Sequence, residues 1–92
     1  MYIAVEEGRV SIEDVGNLRD FHVEVPSDMS ERELDEVLRA RDFGYVRGAR
    51  AFILTKRIEY AADDVTAMVD YACSNGWIDE DGKAVQAHIV RR

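Results

Sequence analysis

An α+β fold, built as a two-layer sandwich of helices on a sheet, is what this 92-residue sequence predicts. Three observations carry the prediction. Runs with apolar residues at every second position alternate with segments of helical periodicity, the first helical segment opens with complete capping chemistry, and turn residues fall at the junctions. A strand-like run at Phe21–Val25 leads to a helix at Glu31–Arg41, strand-like runs at Tyr45–Arg47 and Arg50–Thr55, a helix at Ile58–Cys73 and a last strand at Ala84–Val90. The order is βαββαβ preceded by a short hairpin. It fits a ferredoxin-like βαββαβ core with an added N-terminal β-hairpin, one domain over residues 1–92, with the first and last core strands side by side and antiparallel.

Each element has its own warrant. Tyr2–Glu6 and Arg9–Glu13 flank Glu7-Gly8, where glycine can supply the positive φ of a tight turn, and Gly16-Asn17 marks a second turn. In the next strand Phe21, Val23 and Val25 face one way and His22 and Glu24 the other. Pro26 ends that strand because proline cannot donate to the ladder. Ser30 with Glu33 forms a capping box, and Met29 with Leu34 has the spacing of a hydrophobic staple. The helix shows a narrow stripe of Leu34, Val37 and Leu38, and Gly44 offers the chain a way out of it.

Gly48-Ala49 turns between the two central strands, and the unbroken run Ala51, Phe52, Ile53, Leu54 reads as covered on both faces. Ile58, Ala62, Val65, Val69 and Ala72 form a core stripe on the second helix, which Asn75-Gly76 ends. A cap at Asp63 is the alternative, and it would leave Ile58–Tyr60 as strand. Trp77-Ile78 is expected in apolar surroundings, Asp79-Glu80-Asp81-Gly82 as a turn, and Val85, Ala87 and Ile89 on the core side of the last strand.

Composition narrows function mostly by exclusion. The longest uncharged apolar stretch, Ala51–Leu54, is too short to cross a bilayer, and the N-terminus lacks the basic-then-apolar order of a signal peptide, so a cytoplasmic location is expected. A single cysteine allows no internal disulfide and no cysteine metal cluster. Ten arginines against two lysines is the bias of a GC-rich bacterial genome. The net charge of −7 disfavours general binding to nucleic acid or anionic membranes. That charge is uneven: residues 45–57 hold four bases, Arg47, Arg50, Lys56 and Arg57, and no acid.

Candidate sites follow from the faces of the strands. If the first and last core strands are neighbours, His22, Glu24, Gln86 and His88 share the sheet face away from the helices and form a ligand-binding candidate, since histidine titrates near neutral pH. The same face, with Ala84, Val90 and Phe52 or Leu54 adding apolar area, is expected to be covered by a second copy of the chain, making a homodimer. The basic island Arg47, Arg50, Lys56, Arg57 is a candidate docking site for an acidic protein or a phosphorylated small molecule. Nucleic acid is the weaker alternative there, because Phe52 is the one aromatic residue in its strand.

Catalytic signatures are absent from the sequence. Cys73 falls near a helix C-terminus, where the dipole opposes a thiolate, and beside the core stripe, so it is expected to be a buried inert thiol. Ser11, Ser27, Ser30 and Ser74 lie in no nucleophile elbow. Asp79-x-Asp81-Gly82 lacks the other acids of a calcium loop. The pairs Glu6-Glu7, Glu13-Asp14 and Asp63-Asp64 diverge on strand or helix and read as solvated charges. No cofactor and no metal is implied. The expected role is a small interaction or regulatory module, not an enzyme, with a ligand-binding or enzymatic domain on the open sheet face as the rival.

Overall fold

The computed structural model describes residues 1–17, 21–61, 66–79 and 81–92, together with the backbone but not the side chain of Ala61. Among these residues it is a mixed α+β structure, a six-stranded curled sheet with three helical segments. Strands β1 (Tyr2–Glu6) and β2 (Arg9–Glu13) pair antiparallel across Glu7-Gly8, with Gly8 at φ +74°. Strand β3 (His22–Val25) then lies parallel to β1.

Helix α1 (Glu31–Ala40) starts as its capping box dictates. Ser30 Oγ accepts from the Glu33 amide and the Ser30 amide donates to Glu33 Oε1, both at 3.1 Å, which satisfies two of the orphan groups of the first turn. Its exit is not at Gly44. The chain leaves through Asp42, which takes the left-handed φ of +57°, while the Phe43 amide donates back to the Leu38 carbonyl at 2.9 Å. Asp42 tolerates that conformation better than most residues, and Lys56 Nζ holds its carboxylate at 2.7 Å. Gly44 instead opens β4 (Gly44–Arg47), where a Cβ would run into the carbonyl of Phe52 on β5 (Arg50–Leu54).

Over the expected helix Ile58–Cys73 the described residues form α2 (Thr55–Ala61) and α3 (Thr66–Ser74). Ile58–Tyr60 is therefore helical and not strand. Ala62, Val65 and the proposed cap at Asp63 lie outside the described residues. On α3 the buried positions are Met68 and Ala72, with Val69 at the margin.

The segment between β5 and β6 starts and finishes at one end of the sheet, where the Thr55 amide, at the start of α2, donates to the Lys83 carbonyl, just before the last strand, at 2.8 Å. Strand β6 (Ala84–Arg91) thus runs antiparallel to β5 and parallel to β3. The strand order is β2-β1-β3-β6-β5-β4. In a ferredoxin-like sheet the first core strand lies between the third and the last. Here the last, β6, lies between the first and the third, and the expected antiparallel contact of β3 with β6 is parallel.

The core lies on one side of this sheet. Ile3, Val5, Val23, Val25, Ala51, Ile53, Val85 and Ala87 point to the helices and join Leu34, Leu38, Ile58, Met68 and Ala72 in one buried cluster. Six strands laid flat span about 24 Å, roughly twice a helix diameter. Yet α1 meets both outermost strands: Asp35 Oδ1 accepts from the Val46 amide of β4 at 2.7 Å, and the Arg41 guanidinium donates to the Gly8 carbonyl at the β1–β2 turn. The sheet therefore wraps around α1, and the face away from the helices is convex.

Candidate functional site

The convex face carries the residues that the alternation of each strand sends away from the core. The ladders align Glu13, Tyr2, His22, His88, Arg50 and Arg47 in one row across the six strands. In that row the Tyr2 and His22 rings stack at 5.0 Å with 9° between their planes, and the His22 and His88 rings lie 5.7 Å apart, tilted by 32°. Aromatic contacts at this separation add modest attraction to their burial. Two strands away Tyr45 stacks on Phe52 at 5.2 Å, and the Arg47 guanidinium sits 5.5 and 5.8 Å from these two rings. Rings thus occur on both halves of the face, and at β4 and β5 a guanidinium lies against them.

The structure brings three of the four open-face candidates close together. His22 is flanked by His88 and by Glu24, whose Oε2 is 3.9 Å from His22 Nε2; Gln86 lies on the same face one pleat further along β6. Their neighbours come from a parallel ladder, the opposite of the strand direction expected. Among the described residues no group of three His, Cys, Asp or Glu side chains is arranged to hold a metal ion.

The basic island separates into two pairs. Arg47 and Arg50 are opposed across β4 and β5 on the convex face. Lys56 bonds Asp42, and Arg57 donates to the Asp42 and Arg41 carbonyls at 2.9 Å while lying 4.7 Å from the Phe43 ring. Lys56 and Arg57 therefore secure the exit of α1. Lys56 holds the Asp42 carboxyl below the ordinary carboxylate range through its hydrogen bond and its charge.

The apolar area expected on this face is small. Ala84 is fully buried and Phe52 is 9% exposed, sheltered by Tyr45 and Arg47, so Leu54 and Val90 remain as its half-buried apolar members. Cys73 is exposed, because α3 turns Met68 and Ala72 inward and leaves the thiol outside. Trp77 packs edge-on against Tyr71 at 5.6 Å and is 39% exposed, less enclosed than expected. Asp79 closes a plain turn with its carboxylate, Oδ1 accepting from the Lys83 and Ala84 amides at 2.9 and 3.2 Å.

Three contributors were not singled out from the sequence: Tyr2, Tyr45 and Asp79 as a phenol acceptor. The parity of Tyr2 within its strand placed it away from Ile3 and Val5, a usable signal; that it meets His22 depends on the β1–β3 register, which no local pattern encodes. At the β4 edge Arg39, Tyr45, Val46, Arg47, Asp79 and Asp81 line a cleft of about 260 Å³. No helix is long and apolar enough to cross a membrane among the described residues. The chain matches no protein family, no curated protein and no solved structure.

Proposed function

We propose that the chain is an interaction module, active as a homodimer, that meets an acidic partner through the convex face of its sheet. The observation that carries this reading is the curvature. The rings of Tyr2, His22 and His88 and the guanidinium of Arg50 lie on the outside of a sheet wrapped around its own core, where they can meet a flat or concave protein surface but cannot enclose a small molecule. Arg47 and Arg50 supply the positive end of the row in a chain of net charge −7, which favours an acidic counterpart at that point. The bacterial cytoplasm is the setting that the composition suggests.

The rival, a ligand-binding or enzymatic face around His22, Glu24, Gln86 and His88, draws its support from the 5.7 Å approach of the two histidine rings. Native mass spectrometry of protein purified from its own host separates the two. A dimer with no additional mass supports the module. A monomer that carries a bound small molecule or metal, lost on changing both histidines to alanine, overturns it.

A further inference from the structure

We infer that two copies join through β2, Arg9–Glu13 of each pairing antiparallel about a two-fold axis at Ser11, so that two six-stranded sheets become one continuous sheet. The inference rests on the homodimeric reading above and assigns its interface. The convex face is a poor candidate for that interface, because Phe52 and Ala84 are already covered.

The two edges of the sheet are not equivalent. At β4 the outermost ladder is closed by α1, whose Asp35 accepts the Val46 amide at 2.7 Å. At the other end β2 pairs with β1, and the sheet order ends there. The register fixes which groups face outward. Glu6 and Arg9 flank a two-residue turn, so Arg9, Ser11 and Glu13 exchange hydrogen bonds with β1, while the amides and carbonyls of Val10 and Ile12 point along the sheet away from β1. An edge strand that offers such groups is a template for another strand. The strand Arg-Val-Ser-Ile-Glu carries neither the proline nor the lysine that often blunts an edge.

The same five residues are complementary to themselves. With the axis at Ser11, Val10 lies opposite the partner's Ile12 and Ile12 opposite the partner's Val10, which forms four backbone hydrogen bonds from the outward groups. Arg9 then faces the partner's Glu13 on the convex side, at both ends of the pair, joining opposite charges. On the helix side Val10 and Ile12, partly buried at the margin of the core, complete their burial against the partner's Ile12 and Val10. A parallel pairing would place Arg9 against the partner's Arg9 and leave no two-fold relation between the sheets.

The test is the mass in solution of the full chain and three variants at tens of micromolar, by light scattering, with circular dichroism to verify folding. The parent is expected at twice 10.5 kDa. Glu13→Arg sets like charges together at both ends and is expected to weaken the dimer at least about tenfold. The double variant Arg9→Glu/Glu13→Arg restores opposite charges and is expected to recover the dimer. Ile12→Pro removes an outward amide, spares the bonds to β1 and is expected to give a folded monomer. A parent dimer that Glu13→Arg and Ile12→Pro both leave intact overturns this interface while preserving the homodimeric reading. A parent monomer overturns both, including the case in which a different protein supplies the added strand.

Discussion

The Tyr45 hydroxyl donates a 2.8 Å hydrogen bond to Asp79 Oδ2, tying the edge strand β4 to the turn that precedes β6. Burial pushes the Asp79 carboxyl up, but the bonds from Tyr45, Lys83 and Ala84, with Arg47 nearby, outweigh it, so the group titrates below the ordinary carboxylate range. A folded-state pKa lowered in this way contributes stability that is present above the unfolded value, about 3.9, and lost as pH falls through the folded one. Asp79→Asn is expected to cost about 1 kcal/mol at pH 6. Its deficit should shrink at pH 3, as urea denaturation at the two pH values would read. An equal deficit at both would remove the charge from the account.

At the other end of that bond the sign reverses. Burial, the hydrogen bond to Asp79 and the charge of Asp79 all raise the Tyr45 phenol above its ordinary value. Its contribution to stability is therefore complete below the unfolded pKa of about 10 and lost as pH rises through the higher folded one. Tyr45→Phe is expected to remove a component of the phenolate absorbance that titrates above the ordinary tyrosine range and to flatten the alkaline loss of stability. Loss of a component within the ordinary range instead would contradict the bond.

Asp35 does for β4 what a neighbouring strand would otherwise do. Burial pushes its carboxyl up, and the Val46 amide and the Arg39 guanidinium, 2.9 Å away, pull it further down. Asp35→Ala leaves the Val46 amide without its acceptor and is expected to lower stability by about 1–3 kcal/mol, with Asp35→Asn, which keeps an acceptor oxygen, closer to the parent. Urea midpoints of the two variants check this; equal losses would place the effect elsewhere.

The two histidines should separate by depth. The His22 side chain is 12% exposed and stacked on Tyr2, whereas His88 is exposed. His22→Ala is expected to cost about 1 kcal/mol and His88→Ala less than about 0.5. Thermal melting of both at one pH checks the order. If His88 proves the costlier, the stacked row does not extend from Tyr2 as described.

Local chemistry was legible and long-range direction was not. The capping box at Ser30 and Glu33, the alternation of His22–Val25 and the turn at Gly48 each depend on residues within a few positions of one another, and each forms as the sequence indicates. The direction of β6, parallel to β3 and antiparallel to β5, was not legible, because it follows from pairings between residues thirty or more positions apart. The site was legible to the same degree. Parity placed His22, Glu24, Gln86 and His88 on one face, but the partners Tyr2 and Arg50 follow from ladder registers set by tertiary packing. Asp42, not Gly44, takes the left-handed position, and Lys56, distant in sequence, bonds its carboxylate there.

The position of β6 also sets when the sheet can exist. Strands β2, β1 and β3 form one ribbon and β4 with β5 another, and they are joined through β6, which follows all five in sequence. As the chain emerges from a ribosome, both ribbons can pair internally, yet each keeps a raw edge, β3 on one and β5 on the other, until residues 84–91 arrive to be inserted between them. Folding of the whole is then gated by one long-range closure, which is slow by nature. Until that closure the nascent chain carries two sticky borders, so the interval between the emergence of Leu54 and that of Arg91 is when this protein most needs a chaperone.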